Sequence, residues 1–148
     1  TGCNSYRANY LDLDPTYRDA WGLPLLRMTF DWREMEHKAS EFITSKMVEI
    51  GKRTGAAHVH GEPRGGRYNI VPYQSTHNTG GATMGTDPGT SAVNKYLQSW
   101  DVPNVFVIGA NAFPQNAGYN PTDTVGALTY WAIDAIKNKY LKKPGALA

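Results

Sequence analysis

The last third of the sequence constrains the fold most, because it combines an apolar run, a long loop and a helix-forming stretch. Residues 104–110 are mostly apolar and end at Gly109-Ala110, a pattern typical of a strand buried on both faces. After the loop, Asn120 is a good helix N-cap and Pro121 fits the first helical position. Apolar residues at helical spacing continue to about residue 141. The order of strand, loop and helix predicts an α/β (α+β) fold.

A second helix is predicted over residues 32–53. Asp31 and Glu34 have the spacing of a capping box, and apolar residues follow at helical spacing until a glycine ends the helix. Residues 1–30, interrupted by prolines and a glycine, are expected to be irregular or extended. Further along the chain, we expect short strands around a loop at 56–75, loops or tight turns at 76–90, and a short helix or turn at 91–100.

The composition argues against several classes of function. The chain of 148 residues is long enough for a compact domain, and its net charge of +2 does not indicate nucleic-acid binding. The lysines between residues 137 and 143 are expected to form a solvated helix end. The single cysteine, Cys3, cannot form an internal disulfide. Charged residues interrupt every apolar run before the roughly 20 residues that a bilayer requires, so we expect no membrane span and no signal peptide.

His58 and His60 would lie on one face of a strand, where they could form half of a metal site. A metal site needs further ligands, and the neighbouring sequence offers no clear constellation of cysteine, histidine and carboxylate residues. We therefore expect ordinary strand or loop histidines and no bound metal.

Two loops carry residues suited to chemistry. In the first, His77 is followed by many small residues, which let a ligand approach the backbone closely. A neutral imidazole there could accept a proton from an alcohol, or the histidine could occupy a turn and bond a neighbouring carbonyl. In the second, the start of the last helix offers unpaired N–H groups that can stabilise an anion, and Asn120 offers both a donor and an acceptor. The alternative for Asn120 is a plain N-cap.

Together, these loops resemble the C-terminal signature of the glucose–methanol–choline oxidoreductase family. The signature comprises His77-x-x-Gly-Gly-x-x-Met-Gly, an apolar strand that ends in a small pair, and a loop in which Asn120-Pro121 opens a helix. The resemblance extends through nearly the whole chain; its most diagnostic stretch is 77–136, and residues 27–32 also look similar. The likeness is greatest to flavoprotein subunits of bacterial membrane-associated sugar and polyol dehydrogenases, which act on gluconate, glucose, sorbitol or fructose.

This resemblance implies roles for individual residues. His77 matches the histidine that faces the flavin and takes the proton of the substrate hydroxyl as hydride leaves the carbon. Asn120 matches the second catalytic position, where an asparagine would orient the substrate oxygen and leave His77 as the base. Family members commonly carry an acidic residue where Gly109 stands, so the sequence departs from the pattern there. The implied cofactor-binding residues are Gly109 and Ala110, through their backbone, and Asn120, Pro121 and Thr122 at the helix start.

The family's Gly-x-Gly-x-x-Gly dinucleotide-binding fingerprint is missing from the sequence, so we expect the main FAD site to lie outside this chain. The chain would then be a fragment. Residues 1–75 would belong to a substrate domain, and residues 76–148 would supply the catalytic loops and a strand and helix of the FAD domain. Such a fragment is expected to expose apolar surface. With one cysteine and no haem-attachment motif, any electron relay is expected in the rest of the flavoprotein or in a cytochrome c subunit.

The resemblance therefore implies an FAD-dependent enzyme that oxidises a hydroxyl of a sugar, sugar acid or polyol. It also implies a periplasmic location, with any membrane association made through partners. Two alternatives remain open: a family relative with lyase chemistry, and a stand-alone binding or assembly module that kept the fold without the FAD cradle.

Overall fold

The computed structural model describes residues 3–71, 77–116 and 118–147. The chain divides into two compact units, the first formed by Thr1–Cys3 and Ala8–Gln74 and the second by Asn4–Arg7 and Ser75–Ala148. Helices and small two-stranded sheets together make a mixed α/β structure, which confirms the predicted fold class. The assignment of the two parts of the chain to a substrate domain and an FAD domain stays a prediction.

The elements follow one another in a simple order. They are β1 (Cys3–Asn4), β2 (Tyr10–Arg18), β3 (Pro24–Thr29), α1 (Glu34–Arg53), a 3-10 turn (Ala110–Ala112), β4 (Gln115–Asn116), α2 (Thr122–Ala135) and a π-helical turn (Ile136–Tyr140). Strand β1 pairs with β4, and β2 pairs with β3. None of the helices in the described part of the chain combines the length and the apolar character of a membrane span.

The first unit begins with an antiparallel hairpin of β2 and β3, within the stretch predicted to be irregular or extended. Its regular register runs from Tyr10 opposite Thr29 to Leu13 opposite Leu26 and then becomes irregular. Pro15 lies in the irregular part, as expected of a residue that has no N–H for the strand ladder. The sequence therefore indicated extended backbone here, whereas the pairing comes from the structure.

Helix α1 begins at Glu34, and its N-terminus differs from the prediction. The predicted capping box of Asp31 and Glu34 is wrong: the backbone N–H of Arg33, the N-cap residue, donates instead to Glu36 Oε2 at 3.1 Å. Asp31 is occupied elsewhere. Its carboxylate accepts hydrogen bonds from the backbone N–H of Tyr68 at 2.8 Å and from Arg67 Nε at 3.0 Å.

The segment after α1 does not form the strands predicted at 56–75. Over its described part, residues 56–71, it runs along the helix instead. A Cβ on Gly61 would lie 2.5 Å from Val48 Cγ2, and the backbone N–H of Arg64 donates to Ser40 Oγ at 2.7 Å. The described part of the segment thus packs closely on helix side chains and forms no strand. Residues 72–75 of the same prediction lie outside the described residues.

The first unit exposes apolar side chains on both the hairpin and the helix, which confirms the expected exposure of apolar surface. Phe42 is 62% exposed, although it belongs to the apolar stripe from which the helix was predicted. The other large apolar side chains exposed on these elements include Leu11, Leu13, Leu26, Met28, Met35, Met47 and Ile50.

The second unit has a small core in which α2 packs through alanines. Val93, Leu97, Ala112 and Ala132 are buried there, with Met84, Val107 and Leu128 packed against them. Small side chains on the helix let the loop segments approach it closely.

The predicted strand at 104–110, buried on both faces, is wrong. Within this run Phe106 forms one isolated bridge with Gln98, and the N–H of Val107 donates to Leu97 O at 2.8 Å. Val105 and Ile108 are exposed. The apolar run is held by short pairing with residues 97–99, and its end at Ala110 accepts a hydrogen bond from Gly80 N as it enters the 3-10 turn.

Two buried amides organise residues 91–100, where the turn alternative of the prediction is correct. Asn94 Oδ1 accepts hydrogen bonds from the N–H groups of Tyr96 at 2.8 Å and Gln98 at 3.2 Å. These bonds hold a tight turn in which Leu97 adopts a φ of 61°. Gln98 also binds the end of the chain, donating to Gly145 O at 2.8 Å and accepting from Leu147 N at 2.7 Å.

The lysines at the end of the last helix are exposed, as predicted. Lys139 nevertheless has a specific partner. Its Nζ donates to the hydroxyl of Tyr96 at 2.6 Å and lies over the same ring. This hydrogen bond lowers the pKa of Tyr96.

The Asp31 contacts generate a prediction about pH. Hydrogen bonds from Tyr68 and Arg67 lower the pKa of the Asp31 carboxyl below its usual value of about 3.9. A carboxyl of this kind stabilises the folded state above its unfolded pKa, and the contribution is lost as the pH falls through the lower folded pKa. Asp31→Asn should therefore unfold at lower urea concentration at pH 7 and lose less stability than the parent when the pH falls below about 4.

This comparison is made by urea unfolding followed by circular dichroism at several pH values. Glu41→Gln, which changes an exposed carboxyl on α1, serves as the control and should behave as the parent does. Parallel acid profiles for Asp31→Asn and the parent would contradict the prediction.

Candidate functional site

The candidate site lies in the second unit, where the glycine-rich loop after His77 is held against the 3-10 turn. Three backbone hydrogen bonds join them: Gly80 N to Ala110 O at 3.0 Å, Ala82 N to Asn111 O at 3.1 Å, and Met84 N to Ala112 O at 2.8 Å. The pairing advances by two residues along the loop for each residue along the turn. One of the predicted catalytic loops is thus fixed to the backbone predicted to approach the cofactor.

His77 is exposed at the start of this loop, and its backbone is anchored by a residue that the sequence did not single out. Asn116 Nδ2 donates to the carbonyl of His77 at 2.8 Å, while Asn116 Oδ1 accepts from the N–H of Gly118 at 2.9 Å. Asn116 therefore connects the His77 loop with the loop that leads to Asn120. Ser75 and Thr76, the first residues of the predicted loop, lie outside the described residues.

Asn120 is exposed immediately before α2, but the start of the helix is displaced from the prediction by one residue. Pro121 is the N-cap and Thr122 the first helical residue, so Asn120 is not the N-cap. Proline has no side-chain acceptor, and the cap accordingly makes no side-chain hydrogen bond to the first turn. The N–H groups of that turn consequently lack an N-cap side chain, while Asn120 is available for other contacts.

Gly109 needs to be a glycine in this backbone conformation. Its φ is 142°, which side-chain-bearing residues rarely adopt. A Cβ there would also lie 3.0 Å from Asn111 Oδ1. The acidic residue that family members carry at this position would be strained here, so any cofactor contact of Gly109 must use its backbone.

One buried polar atom beside this glycine has no partner. Within the part of the chain that the structure describes, Asn111 Oδ1 is buried and accepts no hydrogen bond. Such an atom costs about 1–3 kcal/mol unless a donor is supplied. The segment therefore fits a bound group that brings an O–H or N–H donor, as FAD does.

Other candidate groups do not form a second site. Within residues 3–71, 77–116 and 118–147, no group of three or more histidine, cysteine, aspartate or glutamate residues could hold a metal, and His58 and His60 are both exposed. Burial raises the pKa of the Cys3 thiol, which disfavours the reactive thiolate. The histidine and amide of the two loops remain the groups with suitable chemistry.

The sequence of the chain matches a known family. A sequence model of the GMC oxidoreductase family matches residues 5–129, which include the His77 loop, the 3-10 turn and the start of α2. The chain belongs to the GMC oxidoreductase family. The resemblance on which the residue assignments rest is therefore confirmed at the level of the family, while the roles of His77, Asn120 and the cofactor-binding residues stay predictions.

Three curated relatives are similar over most of this chain. The gluconate 2-dehydrogenase flavoprotein of Pantoea cypripedii is 56% identical over 97% of the chain and 24% of its own length. The 2-methyl-1,2-propanediol dehydrogenase of Mycolicibacterium austroafricanum is 32% identical over 89% of the chain and 23% of its own length. The fructose dehydrogenase large subunit of Gluconobacter japonicus is 32% identical over 88% of the chain and 23% of its own length. The chain thus spans about a quarter of the length of these relatives.

The role of Asn116 as an anchor can be tested without assuming an activity. Asn116→Ala removes the bonds to His77 O and Gly118 N, each worth about 0.5–1.5 kcal/mol. Amide hydrogen exchange at Gly118 and around His77 should accelerate by about two- to tenfold. Gln115→Ala, which changes an exposed neighbour, is the matched control. Unchanged exchange in Asn116→Ala would mean that other contacts hold the two loops.

Proposed function

We propose that this chain forms the substrate side of the active site in a flavin-dependent dehydrogenase that oxidises a hydroxyl of a sugar, sugar acid or polyol. The observation that carries the proposal is the contact of Asn116 with both loops, because it binds the His77 carbonyl and the N–H of Gly118. The second loop leads to Asn120 and to the start of α2, which has no N-cap side chain. Relatives named for the oxidation of gluconate, fructose and a small diol support this substrate class.

His77 is the proposed base. Its side chain is exposed, whereas its backbone is fixed by the Asn116 bond, so the imidazole is accessible without being free to drift with the loop. A neutral imidazole accepts a proton at physiological pH, and here it would take the proton of the substrate hydroxyl. Loss of this proton makes the adjacent C–H a better hydride donor.

Asn120 is the proposed orienting group. An amide is not a base at neutral pH, but its N–H₂ group donates to an oxygen and its carbonyl accepts from a hydroxyl. Because Asn120 does not cap α2, both amide groups are available to a substrate oxygen. The hydrogen bond would hold the reacting hydroxyl towards His77 and strengthen as negative charge develops on the oxygen.

The start of α2 and the Gly109–Ala110 backbone are the proposed cofactor contacts. FAD, when bound, supplies the hydride acceptor. The N–H groups of the first turn of α2 lack an N-cap side chain and carry the positive end of the helix dipole, which favours negative charge nearby. Asp123 in the same turn opposes this effect, so backbone N–H groups rather than net charge would provide the stabilisation. The main FAD site is proposed to lie outside this chain, since the dinucleotide fingerprint is absent from the sequence.

The proposal extends to the assembly. One relative is named as a large subunit, which supports the idea that such flavoproteins work with further subunits. An electron-accepting cytochrome c subunit and a periplasmic location are accordingly part of the proposal. Fractionation of cells that produce the complete protein tests the location, because recovery with cytoplasmic markers alone would contradict it.

The substrate class is tested by anaerobic absorbance of the flavin in the complete protein that contains this chain. We expect one or more of a panel of sugars, sugar acids and polyols to bleach the flavin band. Simple monohydric alcohols are the comparison set and should bleach it poorly. A complete protein that contains no flavin would contradict the proposal and favour the stand-alone binding or assembly module.

The role of His77 is tested by His77→Ala in the same protein. The rate of flavin reduction in stopped flow should fall by about 10²- to 10⁴-fold, the usual effect of losing a general base. His58→Ala, which removes another exposed histidine, should reduce flavin at the parent's rate. Near-normal reduction in His77→Ala would remove this residue from the mechanism.

Asn120→Ala should have a smaller effect on the same measurement. A hydrogen bond to a charged group contributes about 1.5–3 kcal/mol, so flavin reduction should slow by about 10- to 150-fold. Asn104→Ala, at an exposed asparagine in the same unit, is the control. An Asn120→Ala variant as fast as this control would show that the amide does not orient the substrate.

A further inference from the structure

Asn111 follows the Gly109–Ala110 pair in a segment whose backbone acceptors are already used. Gly109 O accepts from Ala112 N at 3.2 Å, and Ala110 O accepts from Gly80 N at 3.0 Å. Asn111 O accepts from Ala82 N at 3.1 Å. The segment is therefore held in place by its own unit, which also fixes where the Asn111 side chain begins.

The side-chain oxygen of Asn111 differs from these backbone acceptors. It is buried and has no partner in the part of the chain that the structure describes. A carbonyl oxygen has two lone pairs, and leaving it dry and unpaired is costly. The missing side chain at Gly109 avoids a tight contact with this oxygen, because a Cβ there would lie 3.0 Å from it. The geometry thus preserves an acceptor that no described residue uses.

We propose that Asn111 is a further cofactor-binding residue, whose Oδ1 accepts a hydrogen bond from an O–H or N–H donor of FAD. FAD offers donors of both kinds, in its ribityl and ribose hydroxyls and in the N3–H of its ring. The inference rests on the proposed function, since it places the cofactor against the Gly109–Ala110 backbone. The proposed Asn111 bond adds a side chain to the cofactor contact of the Gly109–Ala110 segment, which otherwise uses backbone groups alone.

The competing source of a donor is the polypeptide outside this chain. The two possible donors predict different effects of substitution on the stability of the apoprotein. If the cofactor is the donor, Asn111 Oδ1 is unpaired without FAD, and an apolar residue there relieves a buried polar atom. If the polypeptide is the donor, the bond persists without FAD, and the same substitution destabilises the apoprotein.

The test uses the complete protein, with Asn111→Leu as a variant of similar size. FAD dissociation is followed by the rise in flavin fluorescence, and melting temperature is measured for both apoprotein and holoprotein. We expect dissociation to become about three- to tenfold faster. We also expect the apoprotein to melt at or above the parent's temperature. Asn104→Leu, at an exposed asparagine, should change neither quantity. Asn111→Ala, which is smaller, gives the same comparison if the leucine does not fit.

Each other outcome contradicts a specific statement. Parental dissociation rates in both variants would overturn the role of Asn111. An apoprotein destabilised as much as the holoprotein would also overturn it and assign the donor to the polypeptide. A parent that contains no FAD would contradict the proposed function itself, and this result is distinguishable because it appears before any substitution is made.

Discussion

The stepwise pairing of the glycine-rich loop with the 3-10 turn is the contact on which the rest of the second unit depends. Three bonds from Gly80, Ala82 and Met84 carry the loop across the turn, and Met84 then reaches the small core. Without this pairing, the residues that follow His77 would lose their bonds to the turn, although Asn116 would still bind the His77 carbonyl. Gly80 and Gly81 have positive φ angles, which glycine adopts without strain, and these angles let the loop pass close to the turn.

Local sequence patterns predicted the helices well and the extended segments poorly. Helix α1 lies within the predicted 32–53, because its apolar spacing is visible over five turns. The start of each helix was misplaced by one or two residues, since Asp31 and Asn120 look like caps but have other neighbours. The run at 104–110 looked like a buried strand, but a strand needs consecutive pairing with a neighbour, and Gln98 supplies a single bridge. Such pairing is a long-range property that no local pattern encodes.

Some residues of the candidate site were predicted from the sequence, and others were found only in the structure. His77, Asn120 and Gly109 were predicted because they lie in a family signature with recognisable spacing. Asn116 and Asn111 were not, although both lie in or next to the same segments. Their significance comes from a bond to a residue 39 positions away in one case and from an unpaired buried oxygen in the other. The sequence marks these positions only as polar residues in loops, and polar loop residues are common.

The attachment of the chain's last residues to Gln98 has a different kind of consequence. Both bonds use backbone groups of the tail, the carbonyl of Gly145 and the N–H of Leu147. Substitutions at Leu147 other than proline would keep the N–H that donates to Gln98, whereas inserting or deleting one residue before it would shift the N–H away from its acceptor. The side chain at residue 147 can thus vary, whereas Gly145, with a φ of 153°, and its spacing from Leu147 are constrained. Sequence identity would understate how strictly this part of the protein is specified.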